Sequence, residues 1–200
     1  MFVQVIEARV SDADGLRNSL DSWQDKLQAG ATGWLGTTGG ITDDGRFIAL
    51  ARFESQEAAR ANSDRPEQGE WFAEISKYFD GEPDFLDCGN VQTFLDGGSD
   101  DAGFVQVMRG RSEDVARMNE LFANHDEALR EGRPEILGGT LADAGDGRYT
   151  HAIYFRSEQA AREGEAKEPP ADVRAALEEA MQLMGEATYF DLKDPILRSP

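Results

Sequence analysis

Residues 2–10 alternate between two sets of side chains. Phe2, Gln4, Ile6 and Ala8 fall on one side, Val3, Val5, Glu7 and Arg9 on the other, the period of two that marks a β-strand. Both sides begin apolar, as in a strand covered on both faces. Ser11 and Asp12 are N-cap residue types. Leu16, Leu20, Trp23 and Leu27 then recur at helical spacing, up to the helix-stopping Gly30. Residues 33–41 read as a second strand, rich in Gly and Thr. Asp43-Asp44-Gly45-Arg46 signals a hairpin, because Asp-Gly accepts the positive φ of a tight turn. In residues 46–54, Phe47, Ala49, Ala51 and Phe53 alternate with Ile48 and Leu50. Ser55 caps a short helix through Ala58 and Ala59. After Pro66 comes an amphipathic stretch with Trp71, Phe72, Ile75, Tyr78 and Phe79, and residues 84–95 read as a closing fourth strand. The order β-α-β-β-α-β is the split βαβ arrangement of ferredoxin-like folds.

The pattern then starts again. Phe2-Val3-Gln4-Val5 returns as Phe104-Val105-Gln106-Val107, and Asp44-Gly45-Arg46 as Asp146-Gly147-Arg148, both at an offset of 102. Phe53, Ser55, Ala58, Ala59 and Arg60 return as Phe155, Ser157, Ala160, Ala161 and Arg162. Near the end the offset is 104, matching Asp87 to Asp191. The first helical stripe becomes Met118, Phe122, His125 and Leu129, ending at Gly132. The last becomes Val173, Leu177, Ala180, Met181 and Met184, after Pro169-Pro170. The expected domains are therefore 1–96 and 104–200, joined by residues 97–103, whose Gly, Ser and Asp content is that of a linker. The fold class is α+β, two tandem ferredoxin-like βαββαβ units. Helices on one face of each four-stranded sheet leave its other face uncovered. The simplest cover is the other sheet, eight strands in all, curled into an intrachain barrel of the dimeric α+β type.

These segments resemble the dimeric α+β barrel superfamily near its antibiotic-biosynthesis monooxygenase-like branch. The resemblance rests on the opening Phe2-Val3-Gln4-Val5, the Asp44-Gly45-Arg46 hairpin, and Arg52-Phe53-Glu54-Ser55 running into Glu57-Ala58-Ala59-Arg60. It spans nearly the whole chain, twice, and its motifs are structural. It implies a pocket between sheet and helices, and cofactor-independent oxygenation as one possible activity.

Composition narrows the partners. A net charge of −19 over 200 residues repels phosphate backbones and anionic lipid, which speaks against nucleic acid and membrane partners. The single cysteine, Cys88, excludes an intrachain disulfide. No apolar run approaches a membrane span, and no leader-like segment opens the chain. A cytoplasmic location is expected. No His, Cys or carboxylate cluster has metal-ligand spacing, so neither metal nor cofactor is expected. A chain with two fused units is expected to be a monomer with an internal pseudo-dimer, or a homodimer.

The candidate chemistry is sparse. The resemblance implies an Asn and a Trp one helical turn apart, but Asn62 and Trp71 are nine positions apart. In the copy those positions read Gly164 and either Val173 or Ala175. All three tryptophans, Trp23, Trp34 and Trp71, lie in the first unit, and both histidines in the second. That asymmetry points to a pocket in the first unit lined by Trp34, Trp71 and Asn62. Gln4 would orient a small apolar or aromatic ligand there, or bond Gln106. His151 alternates with Tyr149 and Ile153 on a strand, where it can line a pocket or carry a proton. Arg9 and Asp87, with Arg111 and Asp191 in the copy, are expected as cross-strand ion pairs. Two other readings stand beside ligand binding: a non-catalytic structural or stress-related barrel, and a haem protein with His125 as axial ligand.

Overall fold

The computed structural model describes residues 1–168 and 174–200 in full and the backbone alone of 171–173. Pro169-Pro170 and the side chain of Val173 lie outside the described residues. The chain divides into two units, Met1–Gly89 with Ile196–Pro200, and Asn90–Pro195.

In the first unit the strands are β1 (Phe2–Arg9), β2 (Trp34–Ile41), β3 (Arg46–Phe53) and β4 (Asp84–Cys88), and the helices α1 (Ala13–Leu27), α2 (Gln56–Ser63) and α3 (Pro66–Ile75). Each helix begins where sequence chemistry places it. Asp12 accepts a hydrogen bond from the Gly15 N–H at 3.0 Å, and Ser55 from the Ala58 N–H at 3.2 Å. Pro66 occupies the first turn of α3, where its missing N–H costs nothing. The second unit repeats both side-chain caps, with Asp114 accepting from Arg117 N and Ser157 from Ala160 N. Its helices are α4 (Val115–Ala123), α5 (Asp126–Gly132), α6 (Glu158–Glu165) and α7 (Ala171–Met184). The continuous helix expected up to Gly132 is broken at Asn124-His125. The expected last stripe also changes: Met181 is 71% exposed, and Leu183 packs inward instead.

Residues 84–95 are two strands, not one. β4 ends at Cys88, and after Gly89 the chain enters β5 (Asn90–Leu95), which pairs antiparallel with β7 (Ile136–Asp143) of the second sheet. The end of the chain does the converse. β10 (Ile196–Arg198) pairs with β2 of the first sheet. With β6 (Phe104–Arg111), β8 (Arg148–Phe155) and β9 (Ala187–Leu192), two five-stranded antiparallel sheets result, ordered β10-β2-β3-β1-β4 and β5-β7-β8-β6-β9. Among the described residues the expected eight strands are ten, and the two units divide at residues 89–90 and 195–196. Residues 97–103 hold neither helix nor strand.

The register corrects the expected ion pairs. Antiparallel β1 and β4 align Gln4 with Asp87, and Gln4 Nε2 donates to Asp87 Oδ1 at 3.1 Å. Gln106 and Asp191 repeat this at 3.0 Å. The two glutamines thus bond carboxylates of their own sheets and not each other. Arg9 lies opposite Arg46, and Arg111 opposite Arg148, with Arg111 donating to the Asp146 carbonyl. The expected pairing put the strand past Gly89 beside β1, which shifted every partner.

Candidate functional site

A cavity of about 380 Å³ opens between the sheet and helices of unit 1. Its floor is the sheet face carrying Gln4 and Ile6 from β1 and Phe47, Ala49 and Ala51 from β3. The small alanines keep the middle of that floor low. The other face of the same strands carries Val3, Val5, Ile48 and Leu50, all buried.

One irregularity turns Trp34 into the cavity. In β2, Trp34 pairs with Phe53 and Gly36 with Arg52, so Leu35 is an extra, unpaired residue. Such a bulge reverses the alternation, and Trp34 and Thr37 come to share a face. Trp34 Nε1 donates to Thr37 Oγ1 at 3.0 Å. Gly36 has a φ of 133°, and a Cβ there would stand 2.7 Å from the Arg198 carbonyl oxygen. Glycine is the residue this bend accepts.

The three tryptophans meet here. Trp23 of α1 stands 5.0 Å from Trp34 and 6.5 Å from Trp71 of α3, ring centre to ring centre. Every indole N–H is already used: Trp23 donates to Gln68 Oε1 at 2.9 Å and Trp71 to the Ser19 carbonyl at 3.1 Å. The rings therefore offer a guest apolar surface and not donors. Asn62 is buried, and its Oδ1 accepts from Arg65 Nη1 at 2.9 Å. Among the described residues lining this cavity, Arg198 is the one charged group; it is tied to Asp21 at 2.7 Å.

Unit 2 has a hollow of about 890 Å³ in the corresponding place. Gln106, Met108, His151 and Ile153 stand where unit 1 has Gln4, Ile6, Ala49 and Ala51. His151 has no exposed surface, and burial pushes its imidazole down to about 3.

Of the residues read from sequence, Gln4, Trp34, Asn62 and Trp71 line the cavity of unit 1, while His151 belongs to the hollow of unit 2. Trp71 is both site and packing, since it also lies against the cluster around Leu16 and Phe47. Trp23, read from sequence as part of a core stripe, lines this cavity too. Ile196 and Arg198 carried no signal, because they arrive from the far end of the chain. Beside His125 the structure holds no space of haem size. The His125 Nδ1 lies 2.7 Å from the Leu121 carbonyl oxygen, and the hollow beside it measures about 10 Å³. Among the described residues no group of three or more His, Cys, Asp or Glu is placed to hold a metal, and no helix is long and apolar enough to cross a membrane.

No protein-family model matches the chain, and no curated protein matches it in sequence. Solved structures do match. A presumed monooxygenase of Fusobacterium nucleatum is 10% identical, with a TM-score of 0.76, covering 99% of this chain and 94% of its own. A presumed monooxygenase of Lactobacillus acidophilus is 11% identical, with a TM-score of 0.70 and 99% of both chains covered. An anthrone oxidase-like protein is 13% identical, with a TM-score of 0.64 over 99% of this chain and 92% of its own. At these identities the likeness shows the fold alone, two ferredoxin-like α+β units in tandem along the whole chain.

Proposed function

We propose that unit 1 binds a small apolar or aromatic molecule in its tryptophan-lined cavity. The observation that carries this is the convergence of three tryptophans from α1, β2 and α3 on one space, each with its N–H already satisfied. Packing alone would close such a space, since protein interiors tolerate few voids. Gln4, held by Asp87, and Arg198, held by Asp21, supply polar groups at fixed places for orienting a guest. All three tryptophans of the chain line this cavity, so intrinsic fluorescence reports on it directly. Titration with N-phenyl-1-naphthylamine will quench tryptophan emission saturably. Trp71→Ala will weaken the affinity by about tenfold, the loss expected of an aromatic anchor. Unquenched emission at saturating probe overturns the reading.

The fold likeness to presumed monooxygenases and to an anthrone oxidase-like protein supports a second reading, oxygenation of the bound molecule. The balanced step converts an activated aromatic methylene and dioxygen into a carbonyl and water, the substrate supplying the electrons. Among the described lining residues there is no carboxylate, imidazole, phenolate or amine to take a proton. Such chemistry therefore suits a substrate that ionises readily, with Arg198 beside the resulting oxyanion. The check is dioxygen uptake with anthrone. One O₂ consumed per quinone formed, above the protein-free rate and lost in Trp71→Ala, supports an oxygenase. No rate above that background leaves a binding protein.

A further inference from the structure

His151 of β8 is not accounted for by packing. In the sheet of unit 2 it lies between Met108 of β6 and Leu141 of β7, on the cavity face. Phe122 of α4 tilts over its ring at 4.8 Å between centres, and Phe94 of β5 meets it edge-on at 5.4 Å. Gly139 makes room for this arrangement, because a Cβ there would run into the Phe94 ring. The imidazole has no exposed surface, and neither Nδ1 nor Nε2 has a hydrogen-bond partner. Buried polar groups are as a rule paired, and an unpaired one costs stability. Unit 1 meets the same position with Ala49, so the sheet itself does not require a histidine.

We propose that the hollow of unit 2 is a second binding site, in which His151 hydrogen-bonds the hydroxyl of a neutral phenol-type aromatic ligand. Burial keeps the imidazole uncharged near pH 7, and a neutral imidazole offers one acceptor and one donor. A phenolic O–H matches the acceptor, and its ring matches the walls formed by Met108, Phe122 and Ile153. The charges at the rim do not select for an ionic ligand of one sign, since the described lining residues include four basic and four acidic side chains. Arg162 bonds both Glu165 and Asp191, and Arg133 bonds Glu135. Phe122 both lines the hollow and covers His151, so the ligand reaches the imidazole as Phe122 turns aside. This site is separate from the tryptophan cavity and does not depend on it.

The test is nitrogen-15 NMR of the imidazoles, since the chain has two histidines, during titration with 2-naphthol and, in parallel, with 2-methoxynaphthalene. The expected result is a saturable shift of the unprotonated ring nitrogen of His151 with 2-naphthol and none with the ether, which has lost the donor. In His151→Ala, which imitates unit 1, calorimetry will give the two compounds affinities within about twofold, the hydroxyl having lost its partner. Unmoved His151 resonances at saturating 2-naphthol, or equal shifts with both compounds, overturn the proposal using the unmodified protein alone. Tryptophan emission followed in the same samples reports unit 1, so failure of one site is not mistaken for failure of the other.

Discussion

His151 and Ala49 occupy matching places in the two copies, yet they impose opposite demands. Ala49 leaves the floor of its cavity low. His151 places a titratable group where no water reaches it. The folded imidazole titrates near 3, against 6.5 in an ordinary setting. Between those values the unfolded chain binds a proton that the folded chain excludes. The stability contributed by the neutral form is thus fully present above about pH 6.5 and is lost as pH falls toward 3, with about 2 kcal/mol gone by pH 5. His151→Leu lacks this dependence. Urea midpoints at pH 7 and pH 5 will show a larger drop for the unmodified protein than for the variant; equal drops contradict the buried, neutral imidazole. The strand position of His151 was legible in its alternation with Tyr149 and Ile153. Its complete burial was not, because Phe94 reaches it from β5, a strand whose pairing does not show in the local pattern.

Among the elements, the cavity of unit 1 depends on two features the alternation does not display. One is the bulge at Leu35, which brings Trp34 and Thr37 to one face; the Gly36 beside it was the only sequence sign. The other is β10. Three residues are too few for a periodic signal, yet β10 adds a strand beside β2 and supplies Ile196 and Arg198 to the cavity. Removing the chain from Ile196 onward will therefore weaken N-phenyl-1-naphthylamine binding by about tenfold. It will leave the His151 resonances where they are, since β10 belongs to the first unit. Unchanged affinity would show that β10 is dispensable to the site. Helix starts with strong local chemistry, at Asp12 and Ser55, were legible to within a residue or two; the break at Asn124-His125 was not. The strand from 84 to 95 was misread because its alternation runs on through Gly89, and only tertiary pairing shows that β4 and β5 serve different sheets.

At the scale of the whole molecule, duplication is what the sequence displays most openly. Phe2-Val3-Gln4-Val5 and its return at Phe104 open β1 and β6, and full-length structural likeness at 10–13% identity shows the fold. The duplication preserved the frame: the Gln–Asp bond, the strand bulge and the helix caps recur in both copies. It did not preserve the site. Tryptophans collect around one hollow and a buried histidine marks the other, so the two hollows differ in lining. Four of the residues read from sequence fall on the first hollow because the tryptophan asymmetry pointed there. Trp23 was passed over because its helical spacing matched a core stripe, and in a helix that roofs a cavity the two roles share one face. The most direct measurement is a crystal structure of the protein soaked with N-phenyl-1-naphthylamine. The account predicts density for the probe among Trp23, Trp34 and Trp71 in unit 1. A cavity closed by those side chains, with the probe absent or bound elsewhere, would contradict it.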